Sequence, residues 1–163
     1  MPEQTLVLLK LDAIQRGLIG EVVSRFEKAG LKIAGIKMHQ SNEEHAKKHY
    51  TEDITKRRGE FVRNKLIKFL TEGPVIAIVL EGINAVEVVR KIVGGTEPRT
   101  ALPGTIRGDY AHHSYDHADA KEIAIRNLVH ASSSKEEAEQ EINIWFKKEE
   151  IFNYKTVHEV HVF

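Results

Sequence analysis

Residues 75–80 read VIAIVL, six consecutive apolar positions directly after Gly73-Pro74. A strand apolar on both faces has to be covered on both, so this run predicts the buried middle of a sheet. Thr5 to Lys10, TLVLLK, is a second short run rich in branched residues and predicts a strand of the same kind. Leu31 to Met38 alternates apolar with small or charged residues, and Leu128-Val129-His130-Ala131 offers a short fourth strand. Between the first two strands, Ile19, Val22, Val23, Phe26 and Ala29 recur at helical spacing, and Gly30 follows where a left-handed cap would end the helix. Between the third and fourth, Val86, Val89, Ile92 and Val93 do the same, with Asn84 and Glu87 as the expected cap and Gly94-Gly95 as the stop.

Additions hang on this frame. Ser41-Asn42-Glu43-Glu44 reads as a capping box, and the charged stretch from Lys47 to Lys68 as a partly exposed helical pair. Ser134 and Glu137 form a second box, opening a helix with Ala138, Ile142 and Trp145. Thr96 to His117 shows no period and predicts a long loop, of the kind compact domains keep for function. The tail from Lys147 is mixed. The order is βαββαβ with additions, so the expected fold is α+β and ferredoxin-like, a four-stranded antiparallel sheet covered by helices. At 163 residues the whole chain, 1–163, is expected to be a single domain.

Lysine plus arginine and aspartate plus glutamate stand at 24 each, so no net field draws nucleic acid or an acidic membrane. Any phosphate site must be local. The absence of cysteine excludes a disulfide framework and a thiolate zinc site, and suits a reducing cytoplasm. Met1-Pro2-Glu3-Gln4 lacks a basic lead, and no segment approaches the roughly 20 apolar residues of a spanning helix. Neither secretion nor membrane insertion is expected.

The chemistry concentrates in PGTIRGD at Pro103–Asp109 and NLVHAS at Asn127–Ser132. With KLDA at Lys10–Ala13, RGLIG at Arg16–Gly20, HY at His49-Tyr50 and GTEP at Gly95–Pro98, these segments resemble the nucleoside diphosphate kinase family, in order and over nearly the whole chain. The resemblance implies transfer of the terminal phosphate of a nucleoside triphosphate to a nucleoside diphosphate, by a ping-pong route through a phosphohistidine on His130. A neutral imidazole is a competent nucleophile near neutral pH.

In the same terms, Glu141 accepts a hydrogen bond from the other ring nitrogen with Ser132 in support, and Tyr50 stands beside the nucleophile. Lys10, Arg90 and Arg107 match the family's phosphate-binding cations, Thr96 a hydroxyl donor, and Asn127 the ribose contact. Phe61 and Leu66 are the candidates for the base. The implied cofactor is Mg2+, held by phosphates and water rather than by a protein carboxylate cage, so no residue is assigned as its ligand. The implied partners are nucleoside triphosphates and diphosphates and further copies of the chain, as hexamer, tetramer or dimer.

Leu11 departs from the family's proline, Ala131 from the glycine after the histidine, and Ser133 from the usual aspartate. The intervals Tyr50–Gly73 and Asp109–Asn127 are longer than usual, and the second is expected to alter subunit packing or cover the site.

Blander readings hold elsewhere. His112, His113 and His117 lack a defined set of supporting partners for a metal and are left out of the site. His158-Glu159-Val160-His161 is one residue short of the zinc-protease spacing, and Gly30 and Gly35 have the separation of a phosphate loop but are followed by Ile36-Lys37 where lysine and a hydroxyl residue are needed. The alternative function is a ferredoxin-like nucleic-acid-binding module without catalysis. Its nearest signature, Arg107-Gly108-Asp109-Tyr110, lacks the aromatic alternation such a surface needs. A catalytically silent relative is a third reading, opposed by the presence of the site's charged groups.

Overall fold

The structure, a computed structural model, describes residues 2–157 and 159–162. Strand β1 (Glu3–Leu9) is followed by α1 (Leu11–Gln15), α2 (Ile19–Lys28), β2 (Lys32–His39), α3 (Glu43–His49), α4 (Glu52–Arg58) and α5 (Glu60–Thr71). Then come β3 (Val75–Gly82), α6 (Ala85–Val93), α7 (Ile106–Tyr110), α8 (Tyr115–Ala120), β4 (Val129–Ala131), α9 (Lys135–Trp145) and α10 (Glu159–Val162). Single 3₁₀ turns lie at Pro98–Thr100 and Lys148–Glu150.

The strands form one sheet in the order β2-β3-β1-β4, antiparallel throughout, which is the ferredoxin-like arrangement expected. VIAIVL is interior to it: Val75 through Leu80 are all buried, between β2 on one side and β1 on the other. Because successive strand residues face opposite ways, each central strand feeds two cores. Val7, Leu9, Ile76, Ile78 and Leu80 pack with Val22, Phe26 and Val89 of α2 and α6. Leu6, Leu8, Val75, Ala77 and Val79 pack with Ala46, Ile67, Leu70, Ile142 and Trp145 of α3, α5 and α9. Each buried Val, Leu, Ile or Phe among them contributes about 1.5–3 kcal/mol on burial, so the sheet and its two helical layers hold together without covalent staples.

Gly30 (φ +83°) and Gly94 (φ +88°) end α2 and α6 as expected, both in backbone that disfavours a Cβ. Other local expectations are corrected. Asn42, not Ser41, caps α3: its side chain accepts from His45 N at 2.8 Å, while the Ser41 hydroxyl meets His45 Nδ1 at 3.1 Å. Asn84 is itself left-handed (φ +50°) and makes no side-chain cap, and the Glu3 carboxylate accepts from Val86 N at 3.0 Å instead. A residue distant in sequence can thus take over a cap. Ser134 does cap α9, accepting from Glu137 N at 3.1 Å, but the Glu137 carboxylate turns to the amide and hydroxyl of Ser133.

After α3, the helix that the capping box announced, the charged stretch from Lys47 to Lys68 holds the expected helical pair, α4 and α5, separated by Gly59 (φ +89°). The presumed loop at 96–117 contains α7 and the start of α8, capped by Thr105 and Ser114. Helices of five or six residues, α1 included, are too short to show a 3.6-residue period. The rejected HEVH pattern falls partly on His158, outside the described residues. No described helix is long and apolar enough to cross a membrane.

Candidate active site

The site is built where β4 joins the edge of the sheet. Leu128 is a bulky residue at φ +68°, and Val129 N donates to the Asn127 carbonyl at 2.7 Å. Together these make a tight γ-turn, a conformation that costs energy and persists only where its surroundings over-determine it. They do so here from three sides. Leu128 N donates to Asp12 Oδ2 at 3.0 Å, Lys10 N donates to the Leu128 carbonyl at 2.8 Å, and Arg107 Nε donates to the Asn127 carbonyl at 3.1 Å. The turn delivers His130 opposite Leu8 of β1.

His130 Nε2 lies 2.8 Å from Glu141 Oε1, and Ser132 Oγ donates to Glu141 Oε2 at 2.6 Å. Burial raises the Glu141 pKa, but the charge and hydrogen bond of His130, then His49, outweigh it and leave the carboxyl below its ordinary value. An ionised carboxylate only accepts, so Nε2 carries a proton towards it and Nδ1 is the ring nitrogen left for reaction, by its lone pair in the neutral imidazole form.

A cavity of about 270 Å³ opens beside this ring. Of the residues singled out from sequence, Lys10, Tyr50, Leu66, Arg90, Thr96, Arg107, Asn127, His130 and Glu141 line it. Ser132 is buried behind Glu141 and supports it. Phe61 is not brought to the cavity: it is 59% exposed, with Lys65 Nζ 4.2 Å from its ring centroid. Sequence reasoning passed over Ile54, Arg57 and Arg58, on or near a helix whose charges read as solvated surface, and Ile125, in the second long interval; all four line the cavity. His49 was quoted within a motif but given no role, and it lines the cavity too. The interval 109–127 walls one side, with Asp119 of α8 3.5 Å from Lys65 of α5 and Arg126 3.2 Å from Glu72.

The polar groups are held in fixed geometry. Lys10 Nζ donates to Asn127 Oδ1 at 2.6 Å and Asn127 Nδ2 donates to the Thr96 carbonyl at 2.8 Å, which sets the orientation of the amide. Arg107 spends its fork on the main chain: besides Asn127 O, it donates to Gly94 O at 3.0 Å and to Val129 O. Burial, and then the neighbouring Arg107, depress Lys10 to about 8; burial pulls Arg107 to about 10. Burial raises the Tyr50 hydroxyl above its ordinary value, so it stays a phenol. Crowded, desolvated cations of this kind are matched to a polyanion.

His49, His130 and Glu141 place one potential ligand atom each within 4.8 Å of one another. They are already engaged with one another and with Trp145, and two imidazoles with one carboxylate suit zinc better than magnesium. The carboxylates lining the cavity, Glu137 and Glu141, both have partners. This donor set fits a magnesium ion carried in on phosphate oxygens and water.

A ferredoxin-like sheet that sets a carboxylate-bound histidine in a cation-lined cavity defines a class, the phosphotransferases. The family model for nucleoside diphosphate kinase matches residues 3–151. A nucleoside diphosphate kinase of Borreliella burgdorferi is 51% identical over 154 residues, covering 94% of this chain and 92% of its own length. One from Pyrococcus furiosus is 53% identical over 152 residues, covering 93% and 88%. A solved structure described as a transition-state mimic of the Borrelia burgdorferi enzyme with bound vanadate and ADP superimposes with a TM-score of 0.97, at 49% identity, over 99% of this chain and 96% of that one. The chain belongs to the nucleoside diphosphate kinase family.

Proposed function

We propose that the chain works as a nucleoside diphosphate kinase in which His130 carries the phosphoryl group. The observation that carries this reading is the 2.8 Å bond between His130 Nε2 and Glu141 inside a cavity lined by Lys10, Arg90 and Arg107. The Nδ1 lone pair attacks the terminal phosphorus of a nucleoside triphosphate. The N–P bond forms, the bond from that phosphorus to its bridging oxygen breaks, and the nucleoside diphosphate departs with the electron pair. Glu141 offsets the positive charge that develops on the ring through Nε2–H, while the cations neutralise the phosphate oxygens. A second nucleoside diphosphate then takes the phosphoryl group by the reverse path, which is ping-pong kinetics.

In this reading Thr96 and Arg90 serve the phosphates, Asn127 the ribose, and Tyr50 acts beside the nucleophile; all four line the cavity with His130. For the base, Leu66 with Ile54 and Ile125 offers an aliphatic surface inside the cavity, which we favour over the exposed Phe61. Flat apolar contact of this kind selects weakly among bases. A bound magnesium ion supplies charge neutralisation on the phosphates. The reading extends to one domain over the whole chain, to a cytoplasmic setting suited to a cysteine-free protein, and to a homo-oligomer that covers exposed Ile36 and Met38 on edge strand β2. Light scattering reads the stoichiometry.

The deciding experiment is to mix the protein with γ-labelled ATP and magnesium and isolate it. An acid-labile phosphate mapping to His130 is expected, and its transfer to added GDP should follow. No label, or an acid-stable one, refutes the reading.

A pH dependence arises from Lys10. Its folded pKa of about 8 lies below the ordinary lysine value of about 10.4, so between these limits the unfolded chain binds more protons and the ligand-free fold gains stability as pH rises. Phosphate binding has the opposite sign, because it needs the ammonium. ADP affinity, measured calorimetrically from pH 7 to 10, should be flat below about 8 and then fall by up to about tenfold per pH unit. A flat profile across the whole range would show that Lys10 does not bind the nucleotide as a cation.

A further inference from the structure

Among the described residues, His49 is the imidazole stacked edge-on against His130 that the proposed chemistry does not use. Its side chain is fully buried, its ring centroid lies 4.6 Å from that of His130, and the two planes are 84° apart. Its Nδ1 stands between two groups of α9, 3.2 Å from Trp145 Nε1 and 3.5 Å from Glu141 Oε1. An indole N–H can only donate, so Nδ1 of His49 accepts and its ring proton sits on Nε2. Burial, and then the proximity of His130, hold the His49 pKa at about 3, so the ring is neutral at any working pH.

Nε2 of His49 finds no hydrogen-bond partner. An apolar ring of similar size would leave no such orphan, so packing alone does not account for histidine here. The accepting nitrogen does. Trp145 and Glu141 are four residues apart and share a face of α9, and the one nitrogen, Nδ1 of His49, is within 3.5 Å of both the indole N–H and the carboxylate that must serve His130.

Resting on the assignment of His130 as phosphoryl carrier, we infer that His49 is a positioning residue that captures the indole N–H of Trp145 and so reserves Glu141 Oε1 for His130. Glu141 then has one donor per oxygen, His130 on Oε1 and Ser132 on Oε2. Without the His49 acceptor, the indole N–H competes for Oε1, and the nucleophilic ring loses its single anchor.

The test compares His49→Leu, which removes the acceptor, with His49→Asn, whose amide oxygen falls near the position of Nδ1. His130 phosphorylation by ATP is followed in single turnovers of the intact protein. His49→Leu should slow phosphoryl transfer roughly tenfold or more with the nucleotide concentration dependence unchanged, and His49→Asn should recover most of that rate. In a Trp145→Phe background, where no indole N–H exists to divert, His49→Leu should cost little further. Equal slowing by Leu and Asn would reduce His49 to a space-filler and overturn the inference, as would a loss confined to nucleotide binding. Should His49→Leu fail to fold, His49→Phe, an apolar ring of similar size without the acceptor, is compared with and without Trp145→Phe: additive effects reject the coupling and non-additive effects support it. Failure of the wild-type protein to label at His130 refutes the underlying assignment instead, so the two failures are separable.

Discussion

His130→Ala is expected to form no phosphoenzyme and to lose nucleotide exchange by roughly four orders of magnitude or more, because a ping-pong reaction has no route without its carrier. The fold should survive. His130 is only partly buried, and its one strong partner, Glu141, keeps Ser132 on its other oxygen. ADP binding should therefore persist, since Lys10, Arg90, Arg107 and the aliphatic wall of the cavity are untouched. Measuring exchange, labelling and ADP affinity on the same preparation separates a lost nucleophile from a collapsed site. Exchange within tenfold of wild type would remove His130 from the mechanism.

Arg107→Lys should be nearly as damaging to activity and more damaging to stability. Arg107 braces the carbonyls of Gly94, Asn127 and Val129 at once, two of which flank the strained turn at Leu128. Lysine keeps the charge but is a point donor that cannot span three carbonyls. Leaving two of those bonds unmade, with a buried ammonium in their place, should cost about 3 kcal/mol, or roughly 10 °C in melting temperature. With the turn released, the His130 ring loses the geometry in-line attack requires, and kcat/KM should fall on the order of 10³-fold. Calorimetry and steady-state kinetics on the purified variant check both arms. A variant that melts with wild type and keeps a third of its kcat/KM would show that Arg107 is neither brace nor phosphate ligand.

The sheet was legible in the sequence because its signals are local and strong. VIAIVL is apolar on both faces whatever surrounds it, and Val22, Phe26 and Val89 lie on helices whose periodicity is visible over two turns or more. The short helices α1, α7 and α8 were not legible, since five or six residues carry no period; Thr105 and Ser114 cap α7 and α8, and α1 has no side-chain cap. The cap of α6 failed the same way. Glu3 satisfies the first turn of α6 across 83 residues of chain, and no window around Asn84 contains that fact.

For the candidate site, His130, Glu141, Lys10 and Arg107 were singled out through the resemblance to the family, which motifs such as KLDA, PGTIRGD and NLVHAS carry. Which apolar residues face the same cavity was decided only by tertiary structure. Phe61 has the better ring for stacking on a base, yet the chain's course through α5 leaves it exposed, while Ile54 and Ile125 converge on Leu66 from segments that read as surface and loop. The neutral state of His49 is likewise written nowhere in its neighbours along the chain. It follows from burial against Trp145, Glu141 and His130, which lie 81 or more residues away in sequence and meet it only once the sheet has closed. Periodicity and residue chemistry act over a few positions, whereas cavity lining, desolvation and the bracing of a strained turn are sums over the whole fold.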